Sequence, residues 1–257
     1  TFKILTAMDY MRENPSFDKY RYECSGSDTF GGNVIRCYNG EHHGTVDLKS
    51  SLAHSCNGSF AHIGVGLNRK SYRKLCEAFG FNSSLGVKFV SSRSRFVLDE
   101  KSDTAEAAQT AIGQGKTTIT PLQNALISAT IANDGVMMTP YLVDHTESVD
   151  GHVVKKYEPQ EKRTVISRKR ANQVTRMMRS VVSDGTAAAL RNLSYPVAGK
   201  TGTAEIDSEG TSHAWFVGFA PAADPKIAVS VIVEGAGTGS QYAVPIAAKM
   251  LEEYLGN

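Results

Sequence analysis

Three groups of residues in this chain combine ammonium, hydroxyl and amide groups of the kinds used in nucleophilic catalysis. The tripeptide Lys200-Thr201-Gly202 lies inside a predicted strand, where an ammonium, a hydroxyl and a bare glycine are poor choices for packing a core. Ser55 and Asn57 stand one residue apart at a predicted junction between two helices. Lys3 belongs to a helix predicted at the start of the chain. An ammonium and a hydroxyl brought together could activate an alcohol as a nucleophile.

The position of Lys3 fits a base for a serine three residues earlier. A serine hydroxyl is a weak nucleophile at neutral pH and needs a base within hydrogen-bond reach. Residues three apart on a helix share a face, so Lys3 would meet a serine placed directly before Thr1. A lysine acts as a base only if its pKa is lowered, and partial burial and the second cation of Lys200 would both lower it. We therefore interpret Thr1-Phe2-Lys3 as the remainder of a Ser-x-x-Lys motif.

The order Ser-x-x-Lys, Ser-x-Asn, Lys-Thr-Gly resembles the motif set of penicillin-binding proteins and class A β-lactamases. Five further segments extend the likeness over essentially the whole chain, which resembles the transpeptidase domain of a class B penicillin-binding protein. These segments are Ala111-Ile112-Gly113-Gln114-Gly115, Thr120-Pro121-Leu122-Gln123, Ala132-Asn133-Asp134-Gly135, Lys200-Thr201-Gly202-Thr203-Ala204-Glu205 and Ala214-Trp215-Phe216-Val217-Gly218.

The resemblance implies an activity, a location and partners. It implies a serine acyltransferase that needs no cofactor, crosslinks peptidoglycan stem peptides outside the cytoplasmic membrane and is acylated by β-lactams. It also implies a membrane anchor outside this chain and a membrane-bound glycan polymerase as partner. Ser55 would relay a proton toward the leaving amine, Asn57 would hold a substrate amide, and Lys200 would support the electrostatic field around Ser55.

The resemblance also assigns roles to the predicted strand. Thr201 and Thr203 would bind the terminal carboxylate of a D-Ala-D-Ala end or of a β-lactam. The main-chain N–H groups of Thr203 and of the nucleophilic serine would form an oxyanion hole. Gly202 would keep the strand surface bare, so that a peptide could lie alongside it as an added strand.

Several alternatives stay open at this point. Because the serine itself is not among these residues, a β-lactam sensor or a catalytically inactive cell-wall scaffold is one alternative, and a DD-carboxypeptidase or β-lactamase is another. A β-lactamase needs a general base that activates water. The segment Glu158-Pro159-Gln160-Glu161 only faintly resembles the acidic loop of class A enzymes, since Lys162-Arg163 stands where Leu-Asn should follow. We expect the upstream segment, or a second fragment of the same protein, to supply the serine.

The composition is that of an ordinary globular chain and excludes several classes of protein. The chain has 257 residues, 41% of them hydrophobic and 21% charged, which excludes disorder over the whole length. The formal charge of +2, from 28 basic and 26 acidic residues, argues against nucleic acid as a partner. No apolar run approaches the roughly 18 residues that span a bilayer, so the chain as given is expected to be soluble.

The cysteines and histidines give no sequence pattern typical of a metal site. Cys24, Cys37, Cys56 and Cys76 lack the paired Cys-x-x-Cys spacing of a zinc site, and no two histidines show the i, i+4 spacing of metal ligands. No metal is therefore expected. Cys24 and Cys37 flank a predicted loop, residues 25–33, which a disulfide could close in an oxidising compartment. The alternative is two buried thiols.

Apolar periodicity and capping signals predict helices in the first two thirds of the chain and a sheet after them. Helices are predicted over 1–13, from an Asp47 cap, over 68–79, from a Thr120 cap to about 134, and from a Ser167 cap. Residues 14–44 are predicted to be a long irregular excursion. Antiparallel strands over 196–205, 214–220 and 227–234 precede a closing helix over 246–255.

These elements predict an α/β (α+β) fold of the β-lactamase and transpeptidase kind, with an antiparallel sheet covered by helices and a mainly helical subdomain. Residues 1–257 are interpreted as one transpeptidase domain, mainly helical over about 10–184 and with the sheet and C-terminal helix over about 185–257. The family resemblance places two strands and a helix before the nucleophile. We therefore expect this chain to lack the N-terminal part of its domain.

Overall fold

The computed structural model describes residues 1–87, 91–206 and 211–256. The α-helices in these ranges are α1 (Lys3–Glu13), α2 (Leu48–Ala53), α3 (Asn57–Gly66), α4 (Arg69–Ala78), α5 (Thr104–Ile112), α6 (Pro121–Ala132), α7 (Arg168–Ser183) and α8 (Val244–Leu255). The strands are β1 (Tyr22–Cys24), β2 (Ser27–Phe30), β3 (Asn33–Arg36), β4 (Gly44–Val46), β5 (Val136–Met138), β6 (His145–Glu147), β7 (Val153–Lys156), β8 (Glu161–Thr164), β9 (Ala198–Glu205), β10 (Ser212–Ala220) and β11 (Ile227–Val233). None of these helices is both long and apolar enough to cross a membrane.

The three last strands form an antiparallel sheet in the order β11-β10-β9. Lys200 of β9 pairs with Val217 of β10, and Gly202 pairs with Trp215. Helices α6 and α8 pack on β10 and β11, and α7 packs on β9. The predicted antiparallel sheet with covering helices is confirmed. Its end strand β9 carries the Lys-Thr-Gly motif.

Helix α1 runs through the main hydrophobic core. Ile4, Leu5, Ala7 and Met8 are each at most 1% exposed, and they belong to one buried cluster that includes side chains from the sheet and from most other helices. Lys3, Thr6 and Asp9 are buried as well, so both the apolar and the polar sides of this helix are enclosed by the protein. The backbone around Lys3 is therefore held by packing on every side.

The start of α1 differs slightly from the prediction. The regular helix begins at Lys3, and its first turn is closed by hydrogen bonds from the N–H groups of Ile4 and Leu5 to the carbonyls of Thr1 and Phe2. The Phe2 ring packs edge-on against Phe81, with ring centroids 5.8 Å apart. Phe2 therefore anchors the opening turn in the core although no side chain caps it.

The predicted irregular excursion over residues 14–44 is wrong in part, because β1 to β4 lie in or close to it. Strands β2 and β3 form a hairpin over the stretch that was predicted to be a loop. The two turn residues Gly31 and Gly32 both have positive φ, 56° and 85°, as a two-residue hairpin turn requires. Strand β1 pairs with the more distant β4, with Cys24 opposite Gly44.

Several predicted helix starts are confirmed with their caps. The Thr120 hydroxyl accepts a hydrogen bond from the Gln123 N–H at 3.1 Å at the start of α6. The Ser167 hydroxyl accepts one from the Arg170 N–H at the start of α7. Helix α6 ends at Ala132, two residues before the predicted end at about 134. The Thr120 and Ser167 side chains thus accept hydrogen bonds from N–H groups that have no partner within the helix.

Helix α2 begins with a capping box that supports the segment leading to Ser55. The Asp47 carboxylate accepts a hydrogen bond from the Ser50 N–H at 2.7 Å, and the Ser50 hydroxyl accepts one from the Asp47 N–H at 2.9 Å. Because Asp47→Ala removes the carboxylate that accepts from the Ser50 N–H, and also from the Ser50 hydroxyl at 2.6 Å, we expect it to lower the free energy of unfolding by about 1 kcal/mol. Urea unfolding of the full-length protein would measure this. An unchanged urea midpoint would contradict the capping role.

Candidate active site

The side-chain nitrogen of Lys3 connects α1 to the junction between α2 and α3. Lys3 Nζ donates hydrogen bonds to the Ser55 carbonyl at 3.0 Å, to Ser55 Oγ at 3.0 Å and to Asn57 Oδ1 at 2.6 Å. Lys3 is 5% exposed. The first predicted site residue and the two residues of the Ser-x-Asn motif are thus in direct contact, although more than 50 residues separate them along the chain.

The backbone at Ser55 turns sharply so that its carbonyl and its hydroxyl both face Lys3. Ser55 has a φ of 57°, a left-handed conformation that is uncommon for a residue other than glycine. The turn ends α2 at Ala53 and lets α3 begin at Asn57. The Ala53 carbonyl accepts a hydrogen bond from the Thr186 N–H at 3.2 Å, which ties the junction to the segment after α7. Left-handed serine at a hydrogen-bonded junction is a feature typical of functional sites.

The Asn57 amide is held from both sides. Its oxygen accepts the hydrogen bond from Lys3, and its nitrogen donates one to the Arg36 carbonyl at 2.7 Å. These two partners fix which end of the amide faces Lys3, because only the oxygen can accept and only the nitrogen can donate. The segment around Arg36 therefore takes part in positioning the motif residue.

Burial weakens the protonated form of both site lysines. The pKa of Lys3 is lowered to about 8, chiefly by burial, while the nearby thiol groups of Cys56 and Cys37 act in the opposite direction. Burial also lowers the pKa of Lys200 well below its ordinary value, and repulsion from Lys3 adds to this. Lys200 is 0% exposed, and its Nζ donates to the Thr201 carbonyl at 3.1 Å. Burial is the chief cause of the lowered pKa of Lys3, and Lys200 is not among its main causes.

Strand β9 lies directly against the start of α1. A Cβ atom on Gly202 would lie only 2.8 Å from the backbone nitrogen of Thr1 and 3.1 Å from Cβ of Trp215. Real Cβ contacts are longer, so only glycine lets the strand and the first turn of α1 approach this closely. The bare surface expected at Gly202 is therefore filled by α1 of this chain.

Thr201 and Thr203 have different surroundings. Thr201 is buried, and its hydroxyl lies 2.5 Å from the hydroxyl of Thr186. Thr203 is exposed, and its carbonyl accepts a hydrogen bond from the Gln114 side-chain amide at 3.4 Å. One hydroxyl is thus linked to the segment after α7, and the other faces solvent at the open end of the strand.

Three side chains that contact the site were not among the predicted site residues. Thr186 pairs with Thr201, Gln114 with Thr203, and the Asn124 amide donates to the Thr1 hydroxyl at 3.2 Å from α6. Gln114 lies within one of the segments that carried the family resemblance and Asn124 directly follows another, so their place in the sequence was the available signal. Thr186 had none, because its contact depends on how the loop after α7 folds back.

The fold and this site define a family. The chain belongs to the penicillin-binding protein transpeptidase domain family, whose model matches residues 1–252. It is 35% identical over 217 residues to the peptidoglycan D,D-transpeptidase PbpA of Mycolicibacterium smegmatis, an alignment that covers 79% of this chain and 42% of that protein. The chain thus spans less than half of the length of this curated relative. The relatives are class B penicillin-binding proteins, which confirms the resemblance predicted from the motifs.

Solved structures agree with this assignment. The D,D-transpeptidase domain of a peptidoglycan glycosyltransferase from Eggerthella lenta has a TM-score of 0.91 and 28% identity, covering 100% of this chain and 65% of that chain. Penicillin-binding protein A of M. tuberculosis, in its penicillin G acyl-enzyme complex, has a TM-score of 0.89 and 29% identity, covering 99% of this chain and 60% of that one. The predicted fold class is confirmed.

Proposed function

We propose that the full-length protein is a serine-type D-Ala-D-Ala transpeptidase that crosslinks peptidoglycan stem peptides. The observation that carries this proposal is the buried Lys3 ammonium, hydrogen-bonded to Ser55 and Asn57 beside the Gly202 edge of β9. The M. tuberculosis relative that is captured as a penicillin G acyl-enzyme supports the same chemistry here. We further propose that the protein acts on the outer side of the bacterial cell membrane with a membrane-bound glycan polymerase as partner.

The proposed nucleophile is a serine joined to the backbone nitrogen of Thr1 in the full-length protein. That residue stands three positions before Lys3 at the opening of α1, so the two side chains would share one helix face. The Thr1 nitrogen lies against Gly202, so the serine would emerge between α1 and β9. Its neighbours would then be the ammonium of Lys3 and the end strand of the sheet.

Acylation would proceed by proton transfer through Lys3 and Ser55. Neutral Lys3 takes the proton from the serine hydroxyl while the serine oxygen attacks the carbonyl carbon of the penultimate D-Ala. The developing oxyanion accepts hydrogen bonds from the main-chain N–H groups of Thr203 and of the serine. The C–N bond to the terminal D-Ala then breaks, and Ser55 relays a proton from Lys3 to the departing amine. The products are an acyl-enzyme and free D-alanine.

Transfer to the acceptor would reverse these steps. The amine of a second stem peptide attacks the ester carbonyl and gives a proton back through Ser55 to Lys3, and the serine oxygen leaves with a proton returned from Lys3. A β-lactam would acylate the same serine, but its leaving amine stays attached to the opened ring. The tethered amine would therefore remain in the site and hinder the attack of the acceptor amine.

Substrate binding would use the strand and the held amide. Thr186 can donate its hydroxyl proton to Thr201, which leaves the Thr201 proton free to hydrogen-bond the terminal carboxylate. The exposed Thr203 hydroxyl would bind the same carboxylate. Lys200, whose Nζ donates to the Thr201 carbonyl, would help to hold this part of the strand in place. The Asn57 amide would contact the peptide next to the scissile bond.

A β-lactamase is disfavoured by the surroundings of the acidic segment considered in the sequence. Glu158 is exposed. Its carboxylate lies 3.3 Å from the ammonium of Lys156, the last residue of β7. A carboxylate paired in solvent is not poised to activate a water at an acyl ester. The proposed transpeptidase therefore takes precedence over the hydrolase.

Incubation of the full-length protein with a fluorescent penicillin tests the proposed function. We expect one covalent label on the serine before Thr1, found by peptide mapping, that clears over many minutes. Rapid clearance would indicate a β-lactamase instead. Absence of label in folded protein would indicate an inactive scaffold. Crosslinked product from a D-Ala-D-Ala stem peptide and an acceptor amine would separate a transpeptidase from a β-lactam sensor.

The acylation rate should depend on the protonation of Lys3. Because burial lowers the pKa of Lys3 to about 8, the amine is mostly protonated below that pH and cannot accept the serine proton. We expect the second-order rate of penicillin acylation to fall by about tenfold for each pH unit below 8 and to level off above it. Stopped-flow fluorescence between pH 6 and 9 would measure it. A flat profile in protein that stays folded would contradict a lysine base.

A further inference from the structure

A cluster of three thiols and one imidazole lies behind the Ser-x-Asn motif. Cys24 Sγ is 3.6 Å from Cys37 Sγ, Cys37 Sγ is 3.8 Å from Cys56 Sγ, and Cys24 Sγ is 3.4 Å from His43 Nδ1. All four donor atoms lie within 4.8 Å of one another. The three cysteines are at most 4% exposed. The cluster joins the end of β1, the segment after β3, the start of β4 and the start of α3.

The three short distances match three of the six edges of a tetrahedron around a zinc ion, and the remaining donor pairs lie within 4.8 Å. Zn–S bonds of about 2.3 Å and Zn–N bonds of about 2.0–2.1 Å place tetrahedral donors about 3.8 Å apart for two sulfurs and about 3.6 Å apart for sulfur and nitrogen. A disulfide would instead bring two sulfurs to about 2.05 Å, and the structure has all the cysteines as free thiols. Of the two states left open for Cys24 and Cys37, the structure has buried thiols.

We infer that Cys24, Cys37, His43 and Cys56 bind one Zn²⁺ ion as a closed structural site. Three sulfur ligands and one imidazole are a donor set that zinc takes in structural sites, and four protein ligands leave no position for a reacting water. Binding would convert three thiols to thiolates with release of their protons, without any change of oxidation state. The site itself does not depend on the proposed transpeptidase function.

The groups around the cluster are arranged to support such ligands. His43 Nε2 is buried without a hydrogen bond and lies 3.6 Å from a carboxylate oxygen of Glu41, so a small movement of the Glu41 side chain would give it the carboxylate partner that metal-binding imidazoles usually have. The Ser59 N–H points at Cys56 Sγ at 3.5 Å.

The ion would position the candidate catalytic motif. Cys56 is the central residue of Ser55-Cys56-Asn57, and Cys37 follows Arg36, whose carbonyl holds the Asn57 amide. An ion bound by both Cys37 and Cys56 would therefore fix both sides of the contact between Arg36 and Asn57. The ligands act as positioning residues and do not touch substrate. This effect on the motif, unlike the metal site, rests on the proposed function.

No metal was expected because neither the cysteines nor the histidines form a ligand pair within one short segment. Cys37, His43 and Cys56 lie 13, 19 and 32 residues after Cys24, next to different elements of the fold. They meet because β1 pairs with β4 and because α3 begins beneath this small sheet. The proposed site replaces the expectation of no metal.

Metal analysis of the full-length protein without a histidine tag tests the inference. We expect about one zinc per chain, retained on gel filtration. After exchange with Co²⁺, we expect the visible bands of tetrahedral cobalt and a thiolate-to-cobalt charge-transfer band. Protein that is folded but binds neither metal would overturn the inference. A disulfide between Cys24 and Cys37 in freshly isolated protein would also overturn it.

Variants separate the cluster from cysteine content in general. We expect Cys24→Ser to weaken zinc binding by at least about 100-fold, the upper end of what loss of an outer-shell partner costs. Cys76→Ala removes a buried thiol outside the cluster and should keep full zinc content. His43→Cys should keep a closed site with four ligands, whereas His43→Ala should leave only three. Equal zinc content in Cys24→Ser and the unaltered protein would contradict the assignment.

If zinc positions the motif, chelation should lower the acylation rate while the core stays folded, and added Zn²⁺ should restore it. Loss of zinc with an unchanged acylation rate would overturn the positioning role and leave the metal site standing. Zinc binding in a protein that never labels with penicillin would overturn the proposed function alone. The two proposals can therefore fail separately.

Discussion

Replacement of Lys3 by alanine should lower the rate of penicillin acylation by about a thousandfold, within the range that a positioned general base contributes. Lys3 is the buried amine in contact with Ser55 and Asn57, and its removal leaves the proposed serine without a proton acceptor. Labelling of the full-length protein with a fluorescent penicillin, followed over time, would measure the loss. Full labelling of Lys3→Ala would refute the base assignment.

Two further variants control for effects on folding. Lys3→Arg keeps a cation and hydrogen-bond donors, but a guanidinium does not lose its proton, so we expect a folded and unreactive protein. Lys70→Ala removes an exposed lysine of α4 and should label at the normal rate. If Lys3→Ala lowers the melting temperature strongly while Lys3→Arg does not, the arginine variant gives the cleaner measure of the catalytic role.

Substitution of Gly202 by alanine should lower the acylation rate by about a hundredfold, the loss that a misplacement of about 1 Å can cause at a reacting centre. The added Cβ would lie 2.8 Å from the Thr1 nitrogen, so either α1 or β9 must shift. Both movements change the position of the proposed serine relative to the strand. Labelling kinetics and the melting temperature would be measured together.

The matched control is Gly66→Ala at the end of α3. A Cβ added there meets no atom within 4 Å, and the backbone conformation needs no glycine. We expect this variant to label normally and to be as stable as the unaltered protein. A normal acylation rate in Gly202→Ala would show that the close approach of α1 and β9 is not needed for the chemistry.

The sequence was informative wherever a signal and its structural effect lie close together along the chain. The Thr120 cap, Pro121 and Gln123 predicted the start of α6, and turn residues around Ser55 and Asn57 predicted the junction between α2 and α3. The sheet followed from apolar runs separated by glycine and proline. Each of these depends on local hydrogen bonds or on periodicity, which a single sequence contains.

Features that depend on distant contacts were not predicted. The Gly31-Gly32 hairpin was overlooked because the surrounding residues are polar, although two adjacent glycines are a known turn signal. The contact between Thr186 and Thr201 exists because the loop after α7 returns to β9. The approach of Cys56 to three donors from the β1–β4 region depends on how that small sheet packs on α3. Such contacts are set by tertiary packing, which spacing along the chain does not contain.

The three acceptors around Lys3 match the number of hydrogen bonds that its side chain can donate only while it is protonated. An ammonium has three N–H bonds, and the Ser55 carbonyl, the Ser55 hydroxyl and the Asn57 oxygen occupy all of them. A neutral amine has only two N–H bonds and one lone pair, so one of these acceptors must change partner when the amine loses its proton. The carbonyl and the amide oxygen cannot donate, but the hydroxyl can rotate and offer its own hydrogen to the lone pair until the hydroxyl of the nucleophilic serine takes that position. Each ionisation of Lys3 therefore reverses the polarity of its bond to Ser55, which couples the direction of the relay to the charge of the base.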